Sequence, residues 1–380
     1  MVSPAMVEFD AAILHAVGQP LENRRARIDR LEAGDVLVRI MASGLCHTDL
    51  EVIEGSLAYP MPIILGHEGA GVVEALGAGV EGLKIGDHVV CSWNPHCGHC
   101  FYCERDQPIL CEPFTRHQPR GHLLDGRSRL TCEAAPLHHF SVVSSHAQYA
   151  VVPQSGAIRV PREIPFDRAC MIGCGVMTGV GAATRVAPVQ AGATVAVIGC
   201  GAVGLNAIQG ARLAGAGMII AIDRATGRQD LARTFGADLT TGAPTDDVAA
   251  VVKEATDGRG TDYVFEAAGN AQGFRLGSEI VRPGGHLVFL GKVNVAEDVS
   301  FRWGALMGEK KITRSSYGGA RPKRDFPWLA RCYLEGKLKL DELITARLPL
   351  SRINEGFAAM RCGEGIRTVV LPWDEQGELA

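Results

Sequence analysis

Residues 194–223, TVAVIGCGAVGLNAIQGARLAGAGMIIAID, decide the fold of this chain. TVAVIG is a continuous apolar run of strand length, AVGLNAIQGARLAGA carries helical periodicity, and MIIAID is a second apolar run. A strand apolar on both faces needs cover on both, so the stretch predicts a βαβ unit of a parallel sheet. Gly199, Gly201 and Gly204 stand between strand and helix in a G-x-G-x-x-G pattern, with Val203 inside it. Gly199 permits the tight turn, Gly201 lets a pyrophosphate approach the backbone at the helix N-terminus, and Gly204 lets the helix pack on the strand. Asp223, nineteen residues beyond Gly204, closes the second strand. A carboxylate there accepts hydrogen bonds from the ribose hydroxyls of NAD and repels a 2′-phosphate. Glycines that merely tightened a turn would not need that acid in register, although the neighbouring Arg224 softens the exclusion of NADP.

Outward from this unit, DYVFEAAG, FRLGSEIVRPGG and HLVFLGKV continue the alternation of strand and helix. Before about residue 175 the pattern is different: short β-like runs such as DVLVRI, AGVVEAL, DHVVCSW and AQYAVVP are broken by Gly, Pro, Asn and Asp. That predicts an all-β, barrel-like domain. After about residue 318 the elements are mixed and end in the strand IRTVVLP. The expected class is therefore α/β with a large β component. A discontinuous domain of residues 1–175 and 319–380 surrounds a doubly wound parallel sheet at 176–318.

A chain of 380 residues with 47% hydrophobic content exceeds what one core holds, about 250–300 residues, so two domains are expected. The net charge of −4 and absence of a basic stripe give no reason to expect nucleic acid. No stretch approaches the roughly 18–20 apolar residues of a spanning helix, and the N-terminus lacks a basic segment leading into a sustained apolar run. The expectation is a cytoplasmic protein without a membrane partner, acting on small molecules. Twelve cysteines are then kept reduced, which favours thiolate ligation over disulfides.

Cys97, Cys100, Cys103 and Cys111 stand in PHCGHCFYCERDQPILC with two, two and seven residues between them. Four thiolates in so short a loop can close tetrahedrally on one zinc, leaving no open position and hence no chemistry. Two disulfides, or a nucleic-acid zinc module, are the alternatives. Cys46 in GLCHTDLE, His67 in LGHEGAGVVEALGAGV and Cys174 in MIGCGVMTG are each unremarkable alone, since a lone buried Cys or His usually serves packing. Together they supply two thiolates and an imidazole, a set that binds catalytic zinc with the fourth position free.

Through GLCHTD, GHEGAGVVEALGAGV, GDHVV, the four-cysteine lobe, DGRSRLTC, the glycine turn and GIRTVV, nearly the whole chain resembles the zinc-dependent medium-chain alcohol dehydrogenases of the longer, liver type. The resemblance implies a GroES-like catalytic domain, a Rossmann domain and a homodimer or homotetramer. It implies two zinc ions per chain, a catalytic one on Cys46, His67 and Cys174 and a structural one on Cys97, Cys100, Cys103 and Cys111. Asp49 and Glu68 fall where the family keeps carboxylates beside the catalytic ion, with the task of orienting His67 and modulating charge. His47 and Arg367 match positions that contact the cofactor pyrophosphate, and Arg228 one near the adenosine ribose. Thr178 and Val203 would border the nicotinamide, and Lys292 stands where relatives tend to carry an apolar residue.

The reaction so implied is reversible hydride transfer between a primary alcohol and NAD, with zinc polarising the substrate oxygen. Thr48 corresponds to the hydroxyl that takes the alcohol proton, and Glu51 occupies the place of a relay histidine. Glu51 would therefore be the terminal base. Leu57, Trp93, Phe140 and Ser141, with Phe114 and Arg116 nearby, read as an apolar and aromatic pocket suited to aromatic, allylic or medium-chain alcohols. The rival reading is a dehydrogenase of the glutathione adduct of formaldehyde, which carries an acid at the place of Leu57 and an arginine at that of Thr115. An alcohol:acceptor oxidoreductase that retains its nicotinamide, and a non-catalytic NAD-binding protein, complete the alternatives.

Overall fold

The computed structural model describes residues 7–373 other than Pro244 and Val295. Two compact units emerge: Met1–Cys174 with Arg321–Ala380, and Gly175–Ala320.

In the first unit, strands Val7–Leu14, Glu22–Ile28, Leu130–Cys132, Ala135–His139 and Ile63–Ile64 close into a small barrel. A seven-stranded sheet runs Ala157–Arg159, His88–Cys91, Glu68–Leu76, Asp35–Gly44, Arg367–Leu371, Ile344–Pro349, with Tyr149–Pro153 also paired to Asp35–Gly44. The last strand completes the sheet begun near the N-terminus, because Val369 lies opposite Gly44. Pairing of Asp35–Gly44 with Glu68–Leu76 is antiparallel and sets Gly44 against Glu68. That register matters for the site: Cys46 lies two residues past Gly44, and His67 one residue before Glu68.

The second unit is a six-stranded, wholly parallel sheet in the order Leu239–Thr241, Met218–Ile222, Thr194–Ile198, Thr261–Glu266, Val281–Phe289, Lys311–Arg314. Numbered within the unit this is 3-2-1-4-5-6, the Rossmann order. The reading of 194–223 is realised as strand Thr194–Ile198, helix Ala202–Leu213 and strand Met218–Ile222. The helix stops short of the apolar periodicity, at Leu213, since Gly215 takes a left-handed φ of 86°. Ala196, Ile220, Val264 and Leu287 from four adjacent strands form the core with Val252 and Ile280 from the covering helices.

One expectation needs correction. The helical run Phe166–Val186 is long and apolar enough to cross a membrane by length and composition, with mean hydropathy 1.3, and 72% of that stretch is buried inside the protein. Asp167, Arg168 and Arg185 interrupt its apolar run, so the sequence alone does not display it as one stretch.

Candidate metal centres and dinucleotide turn

Cys46 is the residue that precedes helix His47–Ile53, with extended backbone at φ −125° and ψ 152°. The third residue of that helix, Asp49, returns a carboxylate oxygen to the Cys46 amide at 3.0 Å, which satisfies a donor that helix ends otherwise leave bare. The other oxygen accepts from the Gly66 amide at 3.1 Å and lies 3.2 Å from His67 Nδ1. One fully buried carboxylate thus ties together the two segments that carry Cys46 and His67. A His67 that donates through Nδ1 keeps Nε2 free for a metal.

Cys174 sits on a single wide turn, Ile172–Val176, of the π type that recurs at functional sites. Gly173 beside it is pressed against the Cys91 carbonyl, which a Cβ would meet at 2.8 Å. Ligand atoms of Cys46, His67, Glu68 and Cys174 all lie within 4.8 Å of one another. A hydrogen bond from Cys174 holds the Cys46 thiol well below the ordinary range, helped by the charge of Arg367, while the same bond and burial push Cys174 up. Two thiols sharing a proton in this way release it when a metal takes its place.

Arg367, itself buried, places Nη2 3.1 Å from Glu68 Oε1 and donates through Nη1 to the Leu45 carbonyl at 2.7 Å. Burial raises Glu68 to about 7 against the pull of that guanidinium. Arg367 thus balances the negative charge gathered around Cys46, a task its sequence position did not disclose.

The second cluster joins Cys97, Cys100, Cys103 and Cys111, again with sulfurs within 4.8 Å of one another. Zinc–sulfur bonds of about 2.3 Å in a tetrahedron require sulfurs about 3.8 Å apart; the Cys97 and Cys103 sulfurs are 4.0 Å apart. The Glu112 amide is the largest influence drawing Cys100 down to about 6, while burial lifts Cys111 to about 12. None of the twelve cysteines, all among the described residues, is in a disulfide. Both donor sets fit zinc, a closed cage of four sulfurs and a mixed set able to leave one position open.

Phe140 is fully buried, and its ring meets His67 edge-on at 5.5 Å and Tyr59 at 5.0 Å. The backbone that presents it is strained: Ser141, Val142 and Ser144 have φ of 48°, 59° and 59°, costly above all for a β-branched residue. Leu57 and Tyr59, half-buried, join Phe140 in one apolar cluster. Trp93 is half-buried and 6.4 Å from Phe114. Tyr59 was missed from sequence; its hydroxyl is paired with Gln118 and Ser141, and burial raises it. Thr48 and Glu51 are half-buried at a spacing of three on helix His47–Ile53, and His47 is exposed. Spacing of three puts Thr48 and Glu51 on one helical face.

In the second unit, Gly199 takes φ 89° and a Cβ on Gly204 would meet the Gly199 carbonyl at 1.8 Å. Around Gly201 a Cβ would meet nothing within 4 Å, so the backbone is open there as an approaching pyrophosphate requires. Asp223 accepts from the Cys200 amide at 2.8 Å and the Ala225 amide at 2.9 Å, joining the glycine turn to the end of Met218–Ile222. Val203 is half-buried in the first turn of helix Ala202–Leu213, Thr178 half-buried in Met177–Gly181, Arg228 half-buried in Thr226–Thr234, and Lys292 exposed.

Residues 32–162 match the alcohol dehydrogenase GroES-like domain family, and residues 202–335 the zinc-binding dehydrogenase family. The chain is 38% identical over 369 residues to an alcohol dehydrogenase class-3 of Myxine glutinosa, covering 96% of this chain and 98% of that one. It is 37% identical to an S-(hydroxymethyl)glutathione dehydrogenase of Paracoccus denitrificans, over 95% of this chain and 99% of the relative. Among solved structures, a benzyl alcohol dehydrogenase from Acinetobacter calcoaceticus superposes with a TM-score of 0.91 at 31% identity, covering 96% of this chain and 99% of that one. An alcohol dehydrogenase zinc-binding domain protein from Burkholderia ambifaria gives a TM-score of 0.93 at 36% identity, over 97% and 100% of the two chains. With two zinc-ligand clusters, a Rossmann sheet and similarity along nearly its full length, the chain belongs to the zinc-dependent medium-chain alcohol dehydrogenase family.

Proposed function

We propose that the protein interconverts primary alcohols of apolar or aromatic body with their aldehydes, using NAD as the hydride carrier. The reading rests on the cluster of Cys46, His67 and Cys174 bordered by the ring of Phe140. A zinc ion held there supplies Lewis acidity to the substrate oxygen. Phe140, with Leu57 and Tyr59 packed in the same cluster, favours a hydrocarbon body over a polar one, and we assign Trp93, which lies beside Phe114 in a different cluster, to a flat wall. Thr48 takes the alcohol proton and Glu51, on the same helical face, receives it. Glu51→Gln is expected to change the pH–rate profile in its acid limb; an unaltered profile would remove Glu51 from this role. His47 and Arg367 are the cations we assign to the cofactor pyrophosphate, Arg228 to the adenosine ribose, and Thr178 and Val203 to the nicotinamide.

Oxidation of the glutathione adduct of formaldehyde is the second reading, supported by the 37–38% identical relatives whose names carry that activity or class. Against it, Leu57 packs among apolar side chains, and the Thr115 hydroxyl donates to the Cys111 carbonyl at 3.1 Å. Neither residue supplies a charge for a peptide substrate. The deciding experiment assays benzyl alcohol, allyl alcohol, octanol and S-hydroxymethylglutathione side by side with NAD. Benzyl alcohol is expected to give the highest kcat/KM of the four, and a higher value for the glutathione adduct would reverse the order of the two readings.

Asp223 gives a separate test of the nucleotide. Asp223→Ser removes a charged acceptor worth roughly 1.5–3 kcal/mol, so the ratio of kcat/KM with NADP to that with NAD should rise by roughly ten- to hundredfold. An unchanged ratio would mean that Asp223 serves the turn alone. Self-association is supported by the edge strand Lys311–Arg314, by the exposed Ile312 within it and by the exposed Trp303 and Met307 shortly before it in sequence. A monomer mass in light scattering would refute it.

A further inference from the structure

Behind the Asp49 carboxylate lies a fully buried imidazole, His146, that the reaction outlined above does not use. Its amide donates to the Leu65 carbonyl at 3.0 Å, and the preceding Ser145 amide to the Gly66 carbonyl at 2.9 Å. These bonds fasten the loop that ends in His67. The ring fills the space beside Gly66, where a Cβ would meet His146 N and Nδ1 at 2.6 Å and Ser145 Oγ at 2.7 Å. Gly66 has φ 92°, so both its conformation and its surroundings exclude a side chain.

A pair of serine hydroxyls meets one nitrogen of the ring. Ser145 Oγ is 2.7 Å from Ser43 Oγ, which is 3.0 Å from His146 Nδ1. A buried imidazole with no hydrogen-bonded counter-charge is neutral. The chain in which Ser145 donates to Ser43 and Ser43 to Nδ1 is the one that puts the single ring proton on Nε2, and we assign it here. Nε2 has no hydrogen-bond partner among the described residues, and Asp49 Oδ2 stands 3.9 Å away. The Phe357 ring, 5.9 Å off, covers the imidazole from another side. In that tautomer a protonated ring nitrogen without a hydrogen-bond partner among the described residues faces the carboxylate that orients a metal ligand, and an apolar ring of the same size would fill the space without it.

We infer that His146 is a positioning residue for the catalytic metal centre: with its proton on Nε2, the ring faces Asp49 Oδ2 at 3.9 Å, an electrostatic contact longer than a hydrogen bond that favours the carboxylate's orientation and through it that of His67. The inference rests on the assignment of zinc to Cys46, His67 and Cys174. Groups that support a ligating histidine from behind typically change metal affinity or activity by about 10–100-fold when removed. His146 stands one step further back, so an effect near tenfold is expected.

The experiment uses the full-length zinc-loaded protein and follows zinc transfer to a chromophoric chelator. His146→Phe keeps the ring volume and removes both nitrogens, whereas His146→Gln keeps an amide N–H near the Nε2 position. The parent should release two ions in separate phases. His146→Phe should release the ion of the Cys46 centre roughly tenfold faster with the four-cysteine phase unchanged, and His146→Gln should restore most of the difference. The visible spectrum of the cobalt-substituted centre should shift in His146→Phe and return toward the parent in His146→Gln. Parent-like release with a parent-like spectrum in His146→Phe would overturn the inference while leaving the metal assignment intact. A parent that binds zinc at the four-cysteine cluster only would overturn both. Should His146→Phe fail to fold, Ser43→Ala, which removes the hydroxyl at Nδ1 that we assign as its donor, must show faster release in the same direction, and parent-like behaviour there overturns the inference.

Discussion

Cys46→Ser is expected to lower kcat/KM by roughly three orders of magnitude, because the several kcal/mol of charge stabilisation that a Lewis-acidic ion provides leave with the ligand. Zinc content should fall from two ions per chain to one, while far-UV circular dichroism and soluble yield stay near those of the parent. The packing supports that separation of effects. Helix His47–Ile53 keeps its start through Asp49 Oδ2 on the residue 46 amide, a backbone contact that serine retains. Leu50, Val52 and Ile53 anchor the same helix in the core independently of any metal. A variant with two zinc ions and parental activity would remove Cys46 from the ligand set.

Cys103→Ala should act in the opposite order, on stability before activity. Between Cys97 and Cys111 the chain forms only the short turns Cys103–Arg105 and Pro108–Leu110, and neither contains a buried residue. Three of the four cysteines there are only half-buried, and the packing they make runs through the cysteines themselves, so it is lost with the cluster. Cys111 is fully buried in the barrel core beside Phe114 and Leu123, and Cys97, Cys100 and Cys103 pack against the same cluster partly buried. Loss of a metal is among the few single changes that cost about 4 kcal/mol or more. We expect low soluble yield, a lowered midpoint of urea unfolding and proteolytic cleavage within 97–111. Refolded material that keeps substantial kcat with a parental midpoint would show that the cluster is dispensable for folding.

The Rossmann sheet was legible because a buried parallel strand writes itself as an unbroken apolar run, and Thr194–Ile198 and Met218–Ile222 are such runs. The four-cysteine cluster was legible because its ligands share one loop. The other cluster was not, in a geometric sense. Cys46 and His67 are 21 residues apart and Cys174 follows 107 later, and what joins the first two is the pairing of Gly44 with Glu68. Register of that kind is set by packing of whole strands and leaves no local mark. Asp49 could be suggested by its place three residues after Cys46, a capping pattern. His146 could not: its only trace is the polar run Ser144–Ser145–His146 ahead of an apolar strand, and nothing in that run says which loop the ring will face.

The bond between Cys46 and Asp49 also limits how this segment can vary in length. One residue inserted or deleted between them turns everything beyond by about 100° around the helix axis. That would swing the carboxylate away from the Cys46 amide, Gly66 and His67 in a single step. Positions 46–49 should therefore reject every indel, even where substitutions are tolerated. Anyone transplanting this centre into another scaffold would have to carry 43–49, 65–68 and 145–146 across as one indivisible block.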